Sequence, residues 1–268
     1  MDTPIRVLLS TGAFFLSPLP NAFELAAEAG FDGVEVAVTQ DRQTQSAESL
    51  RSLSEEFGLP IQVLHGPFLL LTRRVWGTDP RGKIARSVAL ATETGIPTVV
   101  IHPPYRWQVR YAHWLTKWVE YICLQERVVV AVENMYPVRL GSQAFRFHRW
   151  MDPDQLGRFP YLTLDTSHLA ASGLDLIEAY DELRDRVVHI HLADNRGKGR
   201  DSHTPLGEGV LPVAGFLEHL SASGYLGAIT LEIDVRPYLD DRARLLDLLK
   251  GNREFCAEHL EAGALRRH

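Results

Sequence analysis

Short apolar runs alternate with helical patterns along almost the whole chain, and that alternation constrains the fold more than any other feature. Runs at 5–10, 33–38, 61–65, 98–102, 127–133, 161–165, 187–192 and 228–234 are rich in Val, Ile and Leu. Several are nearly all apolar, as strands covered on both faces should be. Helical patterns fall between them at about 20–29, 45–58, 80–95, 107–125, 152–157, 174–183, 212–222 and 240–261. In 107–125, Tyr111, Trp114, Leu115, Trp118, Val119 and Ile122 recur at spacings of three and four, an apolar stripe that places Trp114 and Trp118 against a core. Gly30, Gly58 and Gly95 each follow a helix and precede a strand, where a positive φ is expected. Eight β-then-α units predict an α/β fold: one (β/α)8 TIM barrel spanning 1–268 as a single domain.

A net charge of -6 gives no basic footprint, which argues against nucleic acid as the partner. Cys123 and Cys256 form no CxxC and read as buried thiols in a reducing compartment. Early prolines spoil a signal peptide, and no apolar run is long enough to span a membrane. A cytoplasmic protein is therefore expected. The long loop at about 193–211 is rich in Gly, Asp and Arg, and loops of that length in compact domains usually carry function.

Six of the runs end on metal-ligand residue types. IQVLHGP ends at His65, TVVIHPP at His102, VVVAVEN at Glu133, YLTLDTSH at Asp165 with His168 beyond, VVHIHLAD at His191 and AITLEID at Glu232. In a (β/α)8 barrel such ends converge on one site. Converging carboxylates repel one another, and a divalent cation removes that cost. Carboxylate and imidazole donors suit Mn, Zn, Co, Fe or Mg, and the lack of thiolate candidates argues against a structural zinc site. Glu133, Asp165, His191 and Glu232 lead the set. His65, His102, His168 and the D-x-H pair Asp201 and His203 are candidates for further metal or substrate contacts. His189 shares parity with His191 and lies one layer deeper, as a packed core histidine. Glu35 is placed to bind a sugar hydroxyl or to orient a ligand histidine. Arg236 is placed to pair with an anionic group or to stand exposed. Phe14, Trp76, Trp107 and Tyr136 are candidates for an apolar substrate wall. None of the four lysines ends a strand, which disfavours a Schiff-base aldolase, and no dinucleotide glycine fingerprint is present.

With HGPF, IHPP, VEN, LDTSHLAASG, HIHLADN, DSHTPLGEG and LEID in this order, the chain resembles the xylose isomerase-like TIM barrel superfamily. Its epimerase branch implies one divalent ion on Glu133, Asp165, His191 and Glu232, with the two glutamates exchanging a proton with a sugar or sugar-like substrate, phosphorylated or not. Its endonuclease IV branch implies three zinc ions, and His65, His102, His168, Asp201 and His203 match the extra ligands. Phe68 and Leu69 fall where that nuclease wedges DNA. Against it, the nuclease pattern TAGQG reads ENMYPVRLG here, HLNDS reads HLADN, and no basic phosphate track is evident. The favoured expectation is a metal-dependent sugar isomerase or epimerase, with the zinc phosphodiesterase and a metal-dependent dehydratase or lyase as alternatives. Oligomeric state stays open.

Overall fold

The structure, a computed structural model, describes residues 5–68 and 75–266. Its parallel strands are β1 (Arg6–Ser10), β2 (Val34–Ala37), β3 (Ile61–His65), β4 (Thr98–Ile101), β5 (Val129–Glu133), β8 (Leu162–Asp165), β9 (Val187–Leu192) and β10 (Ala228–Leu231). They close into a barrel in the order β1-β10-β9-β8-β5-β4-β3-β2. An exposed antiparallel hairpin, β6 (Val138–Leu140) with β7 (Gln143–Phe145), lies outside it. The helices are α1 (Leu19–Glu28), α2 (Ala47–Phe57), α3 (Pro80–Thr94), α4 (Val109–Glu126), α5 (Pro153–Leu156), α6 (Thr166–Ser172), α7 (Leu176–Leu183), α8 (Val213–Ala222) and α9 (Arg242–Leu265). The (β/α)8 barrel expected from the alternation is the fold observed.

Local rules explain the boundaries. Ser46, Asp79, Asp175 and Asp241 accept backbone N–H groups at the starts of α2, α3, α7 and α9, satisfying donors that a helix leaves open. Gly58 and Gly95 close α2 and α3 at φ 63° and 75°, as their positions predicted. Outward-facing strand residues such as Val7, Leu9, Val99, Val130 and Leu231 join the helices in one large apolar core. The barrel interior holds a separate small plug of Leu8, Val63 and Val100, with Ala228 packed against it. Trp114 and Trp118 of α4 stack with centroids 4.5 Å apart and pack on the main core.

Two elements were not legible as elements. Asp165 both ends β8 and caps α6, accepting the His168 N–H at 2.8 Å, so a seven-residue helix starts with no intervening loop. His168 therefore sits in the first turn of a helix and not in a loop. The β6–β7 hairpin has no buried face and so no apolar alternation to reveal it. Phe14, expected in a substrate wall, is instead buried in the core. Leu69 lies outside the described residues.

Candidate metal centre

The C-terminal strand ends bring six of the singled-out side chains together. His65 and Glu133 are the last residues of β3 and β5, Asp165 is the last of β8, and His191 is the penultimate residue of β9. His102 follows β4 and Glu232 follows β10 by one residue. The register pairs Asp165 with His191 and His191 with Thr230, so neighbouring strands present these groups at one height. His191 Nδ1 is the focus. It lies 3.0 Å from Glu133 Oε1, 3.1 Å from Glu232 Oε2 and 3.9 Å from Asp165 Oδ2.

The remaining candidates extend the cluster in two directions. On one side His102 Nε2 lies 2.9 Å and His65 Nε2 3.4 Å from Glu133 Oε2. On the other, His168 Nε2 lies 3.6 Å and His203 Nε2 2.9 Å from Asp201 Oδ2. Among the described residues four donor groups are compact enough for an ion; three form a chain, His65, His102 and Glu133, then Glu133, Asp165 and His191, then Asp165, His168 and His203, and the fourth, Glu35, His189 and His191, lies below it.

The imidazoles are held by the nitrogen that faces away. His65 Nδ1–H donates to Gly66 O at 2.9 Å, His168 Nδ1–H to Asn134 O at 2.8 Å and His203 Nδ1–H to Glu232 O at 2.5 Å. His191 uses the opposite nitrogen, and its Nε2–H donates to Glu35 at 3.0 and 3.2 Å. Each of these rings thus keeps one nitrogen turned toward carboxylates. Imidazoles that ligate metals are commonly oriented in this way. Asp165 Oδ2 is buried and has no hydrogen-bond partner. An orphaned buried carboxylate oxygen is costly, and a cation would satisfy it. The donor set therefore fits a divalent metal.

A match over residues 23–254 to the model of the xylose isomerase-like TIM barrel agrees with this geometry. The chain belongs to that family. An uncharacterized protein of Mycobacterium tuberculosis is 34% identical over 280 residues, covering 97% of this chain and 99% of its own. A solved D-tagatose 3-epimerase-like protein superposes with a TM-score of 0.70 at 22% identity, covering 95% of this chain and 99% of the other. The 3-keto-D-glucoside 4-epimerase of E. coli gives a TM-score of 0.70 at 21% identity, covering 93% and 99%.

Burial and charge compete throughout this family member's site. Burial pushes the Glu133 carboxyl up, but His191 and His102 outweigh it and hold it well below the usual carboxylate range. Burial raises Asp165 to about 6, with His168 and His203 opposing and Glu133 and Asp201 adding to the rise. Burial lowers His168, yet Asp165, Asp201 and Glu133 carry it to about 9. His191 is likewise depressed by burial and raised well above its ordinary value by Glu35, Glu232 and Glu133. Without a cation, imidazolium charge is what reconciles the carboxylates.

A cavity of about 410 Å³ opens at this face, with Gly12, Phe15, Arg196, His203, Glu232 and Arg236 among its walls. Arg236 is exposed, as one of its two readings had it, and its guanidinium is already bound by Asp234 through two contacts of 2.7 Å. The Tyr136 ring lies 4.6 Å from that of His168, tilted by 38°. Trp107 stands at the rim, 56% exposed and stacked on Tyr105, whereas Trp76 packs partly against the core. Phe68 lies 4.9 Å from His102. Sequence reasoning gave His148 no role, but it is buried with its ring 6.3 Å from His102 and Nδ1–H donating to Pro103 O. Its signal was absent because it follows the exposed hairpin and not a strand. Arg196 is an exposed arginine that also lines this cavity. Among the described residues no helix is long and apolar enough to cross a membrane, and Cys256 is a buried free thiol.

Proposed function

We propose that this chain is a divalent-metal-dependent isomerase or epimerase of a sugar or sugar-like substrate. The observation that carries the reading is His191 Nδ1, set among three carboxylates with its other nitrogen committed to Glu35. Glu133, Asp165, His191 and Glu232 would hold the ion. When bound, it polarises a carbonyl and the adjacent hydroxyl and so acidifies the neighbouring C–H.

The chain's own groups then move the proton. Glu133 is a buried carboxylate with Oε1 3.0 Å from His191 Nδ1 and Oε2 2.9 Å from His102 Nε2, and is assigned as one of the two proton-exchanging groups. Glu232 faces the same His191 nitrogen from the cavity side, with 26% of its side chain exposed against 2% for Glu133. One glutamate removes the proton and the other supplies one. Return to the opposite face of the same carbon inverts it, and delivery to the adjacent carbon exchanges aldose for ketose. Asp201, His203 and Tyr136 border the site as polar contacts for hydroxyls, and Arg196 of the cavity wall suits an anionic substituent. Incubating the metal-loaded protein with a ketose panel in D2O tests this. Deuterium appearing at the carbon beside the carbonyl, lost in Glu133→Gln, is the expected result. Turnover without solvent deuterium would oppose the proton-exchange route.

The chain of three donor groups, sharing Glu133 and Asp165, favours one second reading: a three-zinc phosphodiesterase. Elemental analysis on protein prepared without chelator decides between them. About one ion per chain supports the isomerase; about three ions, with nicking of a duplex at a single abasic site, supports the phosphodiesterase. The ions in either case would be Mn, Zn, Co or Mg in the first and Zn in the second.

A further inference from the structure

Glu35 lies one layer below the site, on β2, paired in register with Ser10 and Val63 and fully buried. It is a carboxylate in the interior of a barrel, and every contact it makes is to a donor. His191 Nε2–H donates to Oε1 at 3.0 Å, His189 Nε2–H to Oε2 at 2.8 Å, and the Thr230 hydroxyl to Oε2 at 2.7 Å. These donors come from β9 and β10, three and two strands round the barrel from β2. The parity of β9 turns His189 and His191 into the interior together, one above the other, and the carboxylate spans both.

This arrangement sets His191 apart. His65, His168 and His203 are each oriented by a single backbone carbonyl. His191 is oriented by a full negative charge that is itself clamped by two further donors. A carboxylate accepts only, so it fixes the Nε2–H tautomer and leaves Nδ1 as the ligating atom. It also raises the basicity of the ring it holds, and loss of such a partner typically weakens metal binding 10–100-fold. Glu35, His189 and His191 could by proximity be taken for a metal group of their own. Their hydrogen bonds are already complete, and they serve better as the foundation of the site above.

We infer that Glu35, braced by His189 and Thr230, is the positioning residue that makes the His191 group the first and tightest ion site of this protein. The inference rests on the metal reading proposed above. Isothermal titration of the chelator-treated full chain with MnCl2, and the visible spectrum of the Co2+-loaded chain, test it. Glu35→Gln keeps the shape and an acceptor but removes the charge. It is expected to weaken the first ion 10–100-fold and to alter the Co2+ spectrum. Thr230→Val removes one brace with little change of volume, serves if Glu35→Gln does not fold, and is expected to weaken the first ion by a smaller factor with the same spectral change. His219→Ala, at a partly exposed histidine of α8 bonded to Asp181 and outside the site, is expected to leave the first ion unchanged. A wild-type affinity and spectrum in the Glu35→Gln chain, or in Thr230→Val where the former is unfolded, overturns the inference while leaving the metal reading intact. Failure of the wild type to bind any divalent ion overturns both.

Discussion

Two parts of the site are built by different means. Glu133, Asp165 and His191 stand on neighbouring barrel strands, nearly inaccessible to solvent, and their relative positions follow from the parallel register. Asp201 and His203 stand on the long loop after β9, and their positions follow from side-chain clasps. The Asp194 carboxylate, fully buried, accepts the N–H groups of Asn195, Gly207, Gly209 and Leu211. A side chain at position 209 would collide with it, since an added Cβ would lie 2.2 Å from Asp194 Oδ1. Ser167 donates to Asp201 Oδ1 at 2.6 Å and accepts from Asn195, tying the loop to α6. The contrast separates an inner set placed by strand register from an outer arm placed by side-chain hydrogen bonds. Elements with few deep apolar contacts sit at the low-stability end of a fold, and the arm belongs there.

The sharpest way to break that division is to disable the inner glutamates. Glu133→Gln and Glu232→Gln are each expected to lower kcat by about 10²–10⁴-fold, the usual worth of a positioned general acid or base, with far-UV circular dichroism unchanged. Glu133 belongs to two of the donor groups and Glu232 to neither of the outer ones. Glu133→Gln should therefore also reduce ion stoichiometry at the His65–His102 end, and Glu232→Gln should not. Near-wild-type turnover in both variants would remove the two-glutamate mechanism.

Metal removal comes next in size. A ligand present at about 100 times its Kd stabilises the folded state by about 2.7 kcal/mol. For a chain of this length that corresponds to a rise in Tm of about 5–10 °C, at roughly 2–4 °C per kcal/mol. Chelation should reverse that gain and abolish turnover, and adding back one equivalent of the native ion should restore both. An unchanged Tm on saturation with Mn, Zn, Co and Mg would count against an ion bound by the fold.

The outer arm should respond less. With one ion bound, Asp201→Asn and His203→Ala are expected to raise KM about tenfold, as loss of one hydrogen bond to a polar substrate costs about 1–1.5 kcal/mol, while kcat holds within a few fold. If these variants instead drop the ion count and abolish turnover, the arm is part of the metal centre and the division fails. This is also where the sequence was least sufficient. The barrel was legible because fully apolar runs and glycine-closed helices are local signals, and the convergence of the inner candidates because each ends such a run. The DxH pair was visible as residue types, but its location depends on Asp194 and Ser167, whose contacts cross 13–34 positions of chain. His148 follows the hairpin, where no periodicity marks it. Glu35 was readable as a strand residue facing the site; its simultaneous hold on His189, His191 and Thr230 is a property of barrel closure.

A pH series separates chelated from ion-saturated protein by sign. His168, ordinarily titrating near 6.5, is raised to about 9 in the fold, chiefly by Asp165 and Asp201 acting against burial. Such a group contributes stability that is complete below pH 6.5 and lost as pH rises through 9. Asp165, raised by burial from 3.8 to about 6, adds a loss of the same sign at lower pH. Chelator-treated protein should therefore show a falling Tm from pH 6.5 to 9, and His168→Gln should flatten it. Ion-saturated protein should show the reverse tendency in the acid range, because protons compete for the same ligand atoms. A flat profile for the chelated protein over that range would mean that His168 is not charged by its neighbours.

The smallest effect is expected at Arg236. It borders the same cavity as Glu232 and His203, and by position alone it would be a natural anion contact. Its guanidinium is nevertheless engaged by Asp234 in a two-contact pair at the surface. To bind substrate it must leave that partner, so the net gain is small. Arg196 lines the same cavity and has no ion pair among the described residues. Arg236→Ala should change KM less than about threefold for neutral and phosphorylated members of a ketose panel alike, whereas Arg196→Ala should raise KM selectively for the phosphorylated ones. A selective loss with Arg236→Ala instead would mean that Asp234 releases its partner when an anion arrives, and would add that pair to the outer arm.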